Sequence, residues 1–123
     1  SREVVARGIR IPVLVEVNSG REPNKTGIFP EGAESLLHAI CALPGLDVEG
    51  LMTMGPLTAR PEDVRPYFAL TARLFEKFGR LCLPGVRMRW LSMGMSDTWR
   101  IAVEEGATMV RIGTAIFGPR PAH

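Results

Sequence analysis

The chain has 123 residues, 46% of them hydrophobic and 23% charged, with a formal net charge of +2. This composition is typical of a folded globular protein, and the small charge, spread along the chain without interleaved aromatic residues, argues against a nucleic-acid partner. Because no apolar run approaches the roughly 18–20 residues of a membrane span and no signal peptide is visible, we expect a cytoplasmic protein without membrane association.

Short β-branched runs alternate with amphipathic helical patterns along the chain. Strands are predicted over four segments: 12–17, 48–54, 89–92 and 108–112. Helices are predicted over 30–43, over 62–82, and from Ser96 or Asp97 as N-cap to Gly106, the last with Trp99, Ala102 and Val103 facing inward. This alternation predicts an α/β fold with a parallel sheet and right-handed crossovers. Four such units make either a small open sheet or half of an eight-stranded barrel, which normally needs about 250 residues.

The polar segment 18–27 follows the first predicted strand and is too long for a tight turn, which suggests a functional loop. It contains Lys25, one of only two lysines in the chain; the other is Lys77. Lys25 is either a solvated loop charge or a cation that steers an anion toward the site.

Two turns rich in glycine, serine and threonine follow consecutive predicted strands. The first contains Met95 and Ser96, and the second contains Gly113 and Thr114. Unpaired N–H groups at the start of a helix suit an anionic group, and barrels commonly hold a phosphate at the loops after their last two strands. We therefore predict that both turns hold one phosphate, although Ser96 is also explained as a helix N-cap and Gly113 as a turn glycine.

Arg111 interrupts an apolar strand pattern, where a charge is costly to bury without a partner. It either pairs with a carboxylate such as Glu16 or Asp97, or contacts a ligand in a barrel mouth. Met95 is either core filler or a backbone N–H donor to the same phosphate. The sequence has no convincing Ser-His-Asp or Cys-His arrangement and no metal-ligand spacing, so we predict neither a catalytic residue nor a metal site.

Five segments occur in an order that carries a family resemblance: 15–18, 24–28, 48–54, 91–97 and 109–118. The most specific are Gly-Met-Ser-Asp at 94–97 and Arg-Ile-Gly-Thr-Ala-Ile-Phe-Gly at 111–118. Together they resemble the pyridoxal phosphate homeostasis protein family, which is related to the barrel domain of alanine racemase.

The resemblance implies a fold-type III (β/α)₈ TIM-type barrel that binds pyridoxal 5'-phosphate (PLP). The cofactor phosphate would lie at Ser96, Gly113 and Thr114, with Met95 adjacent, and Arg111 would face the pyridine nitrogen. A guanidinium there keeps that nitrogen unprotonated, so the ring is a weaker electron sink. The implied role is a carrier and regulator of PLP without robust catalysis. An alanine racemase-like enzyme fragment is the alternative.

The resemblance begins near the fifth strand of the family's barrel. The family's Schiff-base lysine lies on the first strand, and no matching segment occurs here, because Lys25 matches the family's Lys-Ser/Thr-Gly element instead. We therefore expect residues 1–123 to form one domain equivalent to the last four β/α units, as a fragment. Its open sheet edges predict a partner, either the missing N-terminal half or a second copy. Two further alternatives are a sugar-phosphate enzyme using Glu16 and Asp97, and an interaction module.

Overall fold

Three parallel β-strands form the centre of the fold in the computed structural model, which describes residues 10–23, 25–56, 58 and 60–110. They are β1 (Ile11–Glu16), β2 (Leu46–Thr53) and β3 (Val86–Met93), in the spatial order β1-β2-β3. Leu51 of β2 lies between Val15 of β1 and Leu91 of β3. Because all three strands run in the same direction, their carboxyl ends meet at one edge of the sheet.

Three helices follow the strands: α1 (Ala33–Cys41), α2 (Arg65–Arg80) and α3 (Trp99–Glu104). A 3₁₀ turn precedes each of the first two helices, over Pro30–Gly32 and Pro61–Val64. Proline suits such a first turn because its missing N–H would have no helical partner there. The core lies between the sheet and these helices, and its most completely buried large side chains are Phe68, Phe78, Leu37, Leu51, Leu91 and Met93.

The pairing of β2 with β3 contains an irregularity that depends on Gly50. Val48 lies opposite Val86, but Gly50 lies opposite Trp90, so β3 has two extra residues in this interval. A Cβ atom at position 50 would lie 1.8 Å from the Trp90 carbonyl oxygen. Only glycine allows the two backbones to approach this closely.

The predicted order of the first three strands and the three helices is confirmed, with shifted boundaries. β3 begins at Val86, three residues before the predicted start; in its first half exposed residues alternate with half-buried ones, which gives no continuous apolar run. Of the predicted fourth strand, Met109 forms a parallel bridge to Ser92, whereas residues 111 and 112 lie outside the described residues. No helix in the described ranges is both long enough and apolar enough to cross a bilayer.

The prediction for the third helix was wrong at its start and on one face. The N-cap is Thr98 rather than Ser96 or Asp97, since residues 95–98 form a turn closed by the Thr98 N–H donating to the Met95 carbonyl at 3.0 Å. Val103, predicted to face inward, is 51% exposed, whereas Ile101 and Ala102 face the core.

Candidate binding cavity at the carboxyl ends of the strands

A cavity of about 180 Å³ lies at the sheet edge where the three strands end. Its walls come from the loop after β1, the exit of β2 and the turn after β3. The lining includes Glu16, Asn18, Ser19, Glu22, Lys25, Met54, Pro56, Met95, Asp97 and Thr98. Ligand sites in α/β sheets are commonly found at this edge, because the loops after the strands supply polar groups on a rigid support.

The turn after β3 is built on Gly94, which has a φ of +96°. A Cβ atom at this position would lie 2.7 Å from the Cβ of Ala102, so the chain passes very close to α3. The Met95 N–H then donates to the Thr98 hydroxyl at 3.0 Å, and the Thr98 N–H donates back to the Met95 carbonyl. These two hydrogen bonds close the turn and fix the path of residues 95–98.

Ser96 and Asp97 lie at the tip of this turn. Among the residues that the structure describes, no acceptor is hydrogen bonded to the backbone N–H of either one. Asp97 lines the cavity and Ser96 lies between two lining residues. The turn therefore presents two adjacent open donors, which is the arrangement that favours an anionic group.

Two of the five residues predicted to bind the cofactor lie on this turn. Met95 lines the cavity and Ser96 is half-buried beside it. The other three, Arg111, Gly113 and Thr114, lie outside the described residues. The chain just before them reaches the end of β3, where the Met93 N–H donates to the Met109 carbonyl at 3.0 Å.

The floor of the cavity is tied together by buried hydroxyl groups. Thr53 Oγ1 donates to the Val17 carbonyl at 2.8 Å, and a carbonyl can only accept. The Ser19 hydroxyl, 2.8 Å from Thr53 Oγ1, must therefore be the donor of that second hydrogen bond. Both side chains are at most 2% exposed. With its proton committed to Thr53, Ser19 serves as a structural group.

The loop after β1 carries the cation of the cavity, Lys25. No carboxylate within the described ranges lies at ion-pair distance from its ammonium. Glu16, one of the carboxylates predicted to pair with Arg111, accepts the Thr26 hydroxyl at 3.0 Å on both of its oxygens, and Arg111 itself lies outside the described residues. Lys25 is therefore available to an anion that enters the cavity.

Sequence reasoning did not single out the lining residues Asn18, Ser19 and Thr98, nor Thr53, which is hydrogen bonded to Ser19. Asn18 and Ser19 directly follow a strand, where polar turn residues are expected, and this position was the only available signal. The partner of Ser19 is 34 residues away in the sequence, so no local spacing could have identified the pair.

Comparison with known proteins identifies relatives along nearly the whole chain. A family model described as the N-terminal domain of alanine racemase matches residues 2–121. A pyridoxal phosphate homeostasis protein from Aquifex aeolicus is 47% identical over 108 residues, which are 88% of this chain and 46% of that protein. The chain spans about half the length of the curated relatives it matches.

Solved structures agree with these sequence matches. A protein of unknown function from Bifidobacterium adolescentis superposes with a TM-score of 0.86 at 39% identity, covering 94% of this chain and 46% of that one. PipY from Synechococcus elongatus, solved with PLP bound, superposes with a TM-score of 0.78 at 30% identity, covering 95% of this chain and 53% of that one.

These matches and the parallel βα architecture confirm the predicted fold class, part of a TIM-type α/β barrel. They also confirm the resemblance to pyridoxal phosphate homeostasis proteins that the five sequence segments predicted. The chain belongs to the family of the alanine racemase N-terminal domain.

Proposed function

We propose that this chain binds PLP by its phosphate group at the turns that follow its last two strands. The observation that carries the proposal is the pair of open N–H groups at Ser96 and Asp97 beside a cavity that Lys25 lines. Relatives named pyridoxal phosphate homeostasis protein and the PLP-bound neighbour support it. The role that follows is homeostasis of the cofactor without robust turnover of an amino acid.

The residues present fit such a ligand. The cavity combines apolar walls at Met54 and Pro56 with hydrogen-bond donors at the tip of the turn after β3, which suits a flat ring that ends in an anion. In the proposal Ser96, Gly113 and Thr114 hold the phosphate. Met95 lies adjacent and keeps the turn in shape, since its own N–H is committed to Thr98.

The proposed role of Arg111 is electrostatic. A guanidinium that faces the pyridine nitrogen disfavours a second positive charge on the ring, so the nitrogen stays unprotonated. Bound PLP would supply an aldehyde that condenses with amines and a ring that accepts electron density. With an unprotonated nitrogen the ring accepts electron density less well. This accords with storage and delivery of the cofactor and not with catalysis.

We further propose that the 123 residues form one domain, equivalent to the C-terminal half of a barrel, and that the N-terminal half is its partner. β1 has a strand neighbour on one side only within the described part of the chain. An open strand edge is a template for pairing with another strand. A second copy of this chain is the alternative occupant, and sedimentation of the chain alone distinguishes a dimer from a monomer.

The experiment that tests the proposed function compares PLP with pyridoxal, which lacks the phosphate. Titrations with PLP and with pyridoxal, followed by absorbance and calorimetry, should give an affinity for PLP at least about tenfold higher, the size expected of a few charge-assisted hydrogen bonds. Ser96→Asp should weaken PLP binding by a similar factor and leave pyridoxal binding unchanged. His38→Asp, an exposed position on α1, is the matched control for added charge. Equal affinity of the unaltered chain for both ligands would overturn the proposal.

An alanine racemase-like enzyme is the second candidate, favoured by the family model that matches residues 2–121. An active site of this kind needs an acid–base group at the ring. The single tyrosine, Tyr67, lies on α2 and does not line the cavity. Interconversion of L- and D-alanine by the chain with PLP, after mixing with an N-terminal half, would favour the enzyme.

A further inference from the structure

We propose that Asn18 is a positioning residue that fixes Lys25 at the mouth of the cavity through the backbone carbonyl of Glu22. The inference rests on the proposed function in one respect: the ligand is taken to be an anion with the chemistry of PLP. The geometric part concerns the loop itself and stands on hydrogen bonds within residues 16–28.

The side chain of Asn18 brackets the peptide groups of Glu22. Its Nδ2 donates to the Glu22 carbonyl at 2.7 Å, and its Oδ1 accepts the Glu22 N–H at 3.1 Å. Asn18 is 6% exposed, so water does not compete freely for these two hydrogen bonds. One buried amide therefore holds residue 22 on both sides of its backbone.

The same Glu22 carbonyl also holds Lys25. The backbone N–H of Lys25 donates to it at 3.0 Å, so this oxygen accepts both the Asn18 amide and the Lys25 N–H. The loop is closed further along, where the Asn18 N–H donates to the Ile28 carbonyl at 2.8 Å. Asn18 thus anchors the middle of the loop by its side chain and the end of the loop by its backbone.

The lysine that this framework supports is free to act on a ligand. Thr26 donates its hydroxyl to the Glu16 carboxylate, and no carboxylate of the described residues lies at ion-pair distance from the Lys25 ammonium. Lys77, in contrast, lies 3.1 Å from a carboxylate oxygen of Glu34. The two lysines of the chain therefore differ in role: the one on the loop faces the cavity and the one on α2 forms a surface ion pair.

A preorganised cation binds an anion more tightly than one on a flexible loop, because less conformational entropy is lost on binding. Removal of the Asn18 side chain should release the Glu22 peptide and let the Lys25 backbone move. The chain should then lose the part of its affinity for the anion that comes from Lys25.

The first arm of the test needs no ligand. Protein labelled with ¹⁵N-lysine gives two backbone amide signals, from Lys25 and Lys77, and the second is an internal reference. In Asn18→Ala the Lys25 amide should exchange with solvent about tenfold faster, the effect of losing about one hydrogen bond, while Lys77 is unchanged. Unchanged exchange at Lys25 would overturn the proposal.

The second arm is a double-mutant cycle on PLP affinity. Lys25→Met and Asn18→Ala should each weaken binding about three- to tenfold, and the double variant should bind no more weakly than Lys25→Met alone. Additive losses would show that Asn18 does not act through Lys25 and would overturn the inference.

The test can still be decided if Asn18→Ala does not fold or if the chain does not bind PLP. Should Asn18→Ala fail to fold, Asn18→Asp keeps the acceptor for the Glu22 N–H, replaces the donor to its carbonyl by a charged oxygen, and should give the same acceleration of amide exchange at Lys25. A chain that does not bind PLP at all contradicts the proposed function, whereas the amide exchange of Lys25 still decides the role of Asn18.

Discussion

The hydroxyl oxygens of Ser19 and Thr53 lie 2.8 Å apart beneath the cavity, in a hydrogen-bond chain that runs in one direction, from Ser19 through Thr53 to the Val17 carbonyl. The Gly55 N–H also points to Thr53 Oγ1, at 3.4 Å. A single buried threonine thus joins the exit of β1 to the exit of β2, and the shape of the cavity floor depends on it.

Replacement of Thr53 by valine should destabilise the chain by about 2–3 kcal/mol, because it leaves two buried polar groups without partners. Thr53→Ser keeps the hydroxyl and should cost less. Thr71→Val is the matched control: its buried hydroxyl bonds the Tyr67 carbonyl, which also accepts a backbone N–H in the helix, so no group is orphaned. Urea unfolding measures all three, and equal losses for Thr53→Val and Thr71→Val would contradict the role of Thr53.

Gly50→Ala should be among the most destabilising single-methyl changes in the chain. The new Cβ would lie 1.8 Å from the Trp90 carbonyl oxygen, so β2 and β3 would have to separate. We expect a loss of about 3–5 kcal/mol in the free energy of unfolding, or failure to fold. Gly79→Ala is the control, because its new Cβ would meet only the Met88 side chain, at 3.6 Å from Cβ and 3.9 Å from Cγ, and alanine favours helix α2. A mild effect at position 50 would contradict this strand pairing.

Gly94→Ala should affect both stability and PLP binding. Gly94 and Gly106 both have positive φ values, +96° and +110°, so alanine at either position carries a backbone penalty of about 1 kcal/mol. Only position 94 adds a clash, 2.7 Å from the Ala102 Cβ. PLP affinity should therefore fall at least about tenfold in Gly94→Ala and hardly change in Gly106→Ala. Equal PLP affinities for the two variants would show that the turn after β3 is not part of the binding site.

The stability of the chain should depend on pH through Arg65. Its guanidinium contacts Glu62, Glu104 and Glu105, which join the start of α2 to the end of α3. The hydrogen bond from Arg65 holds the pKa of Glu62 below its ordinary value of 4.5. The stabilisation is therefore complete above that ordinary value and is lost as the pH falls through the lower pKa of the folded state.

Thermal unfolding between pH 3 and pH 7 measures this dependence (about the range in which carboxyl groups titrate). In the acidic part of this range the free energy of unfolding should depend less steeply on pH in Arg65→Met than in the unaltered chain. The difference in slope should correspond to at most about one proton taken up on unfolding. Arg80→Met is the control, since its contact with Glu76 is a 3.8 Å pair between exposed side chains. Parallel profiles for the unaltered chain and Arg65→Met would contradict the assignment.

Much of the fold follows from local pattern. The apolar runs around Val15, Leu51 and Leu91 predict three buried strands, and the helical spacing of Phe68 and Phe78 predicts α2, because burial on one face imposes these periods. The ends of elements are less predictable. The exposed Arg87 interrupts the apolar run at the start of β3, and α3 begins late because Thr98 closes the preceding turn through its hydroxyl.

The candidate site also has parts that the local sequence predicts and parts that it does not. Glycine and serine at 94–97 predict an anion-binding turn, and this stays a prediction; the structure leaves the N–H groups of Ser96 and Asp97 without an acceptor among the described residues. The bracket that Asn18 forms on Glu22 and the contact of Ser19 with Thr53 depend on tertiary approach. The predicted contribution of Arg111, Gly113 and Thr114 falls outside the described residues and stays a prediction.

The measurement that tests the central claim most directly is a crystal structure of the chain with PLP. We predict phosphate oxygens within hydrogen-bond distance of the backbone N–H groups of both Ser96 and Thr114, with the Arg111 guanidinium beside the pyridine nitrogen. A phosphate held elsewhere, or N–H groups of residues 96 and 114 that point away from a common oxyanion, would contradict the account.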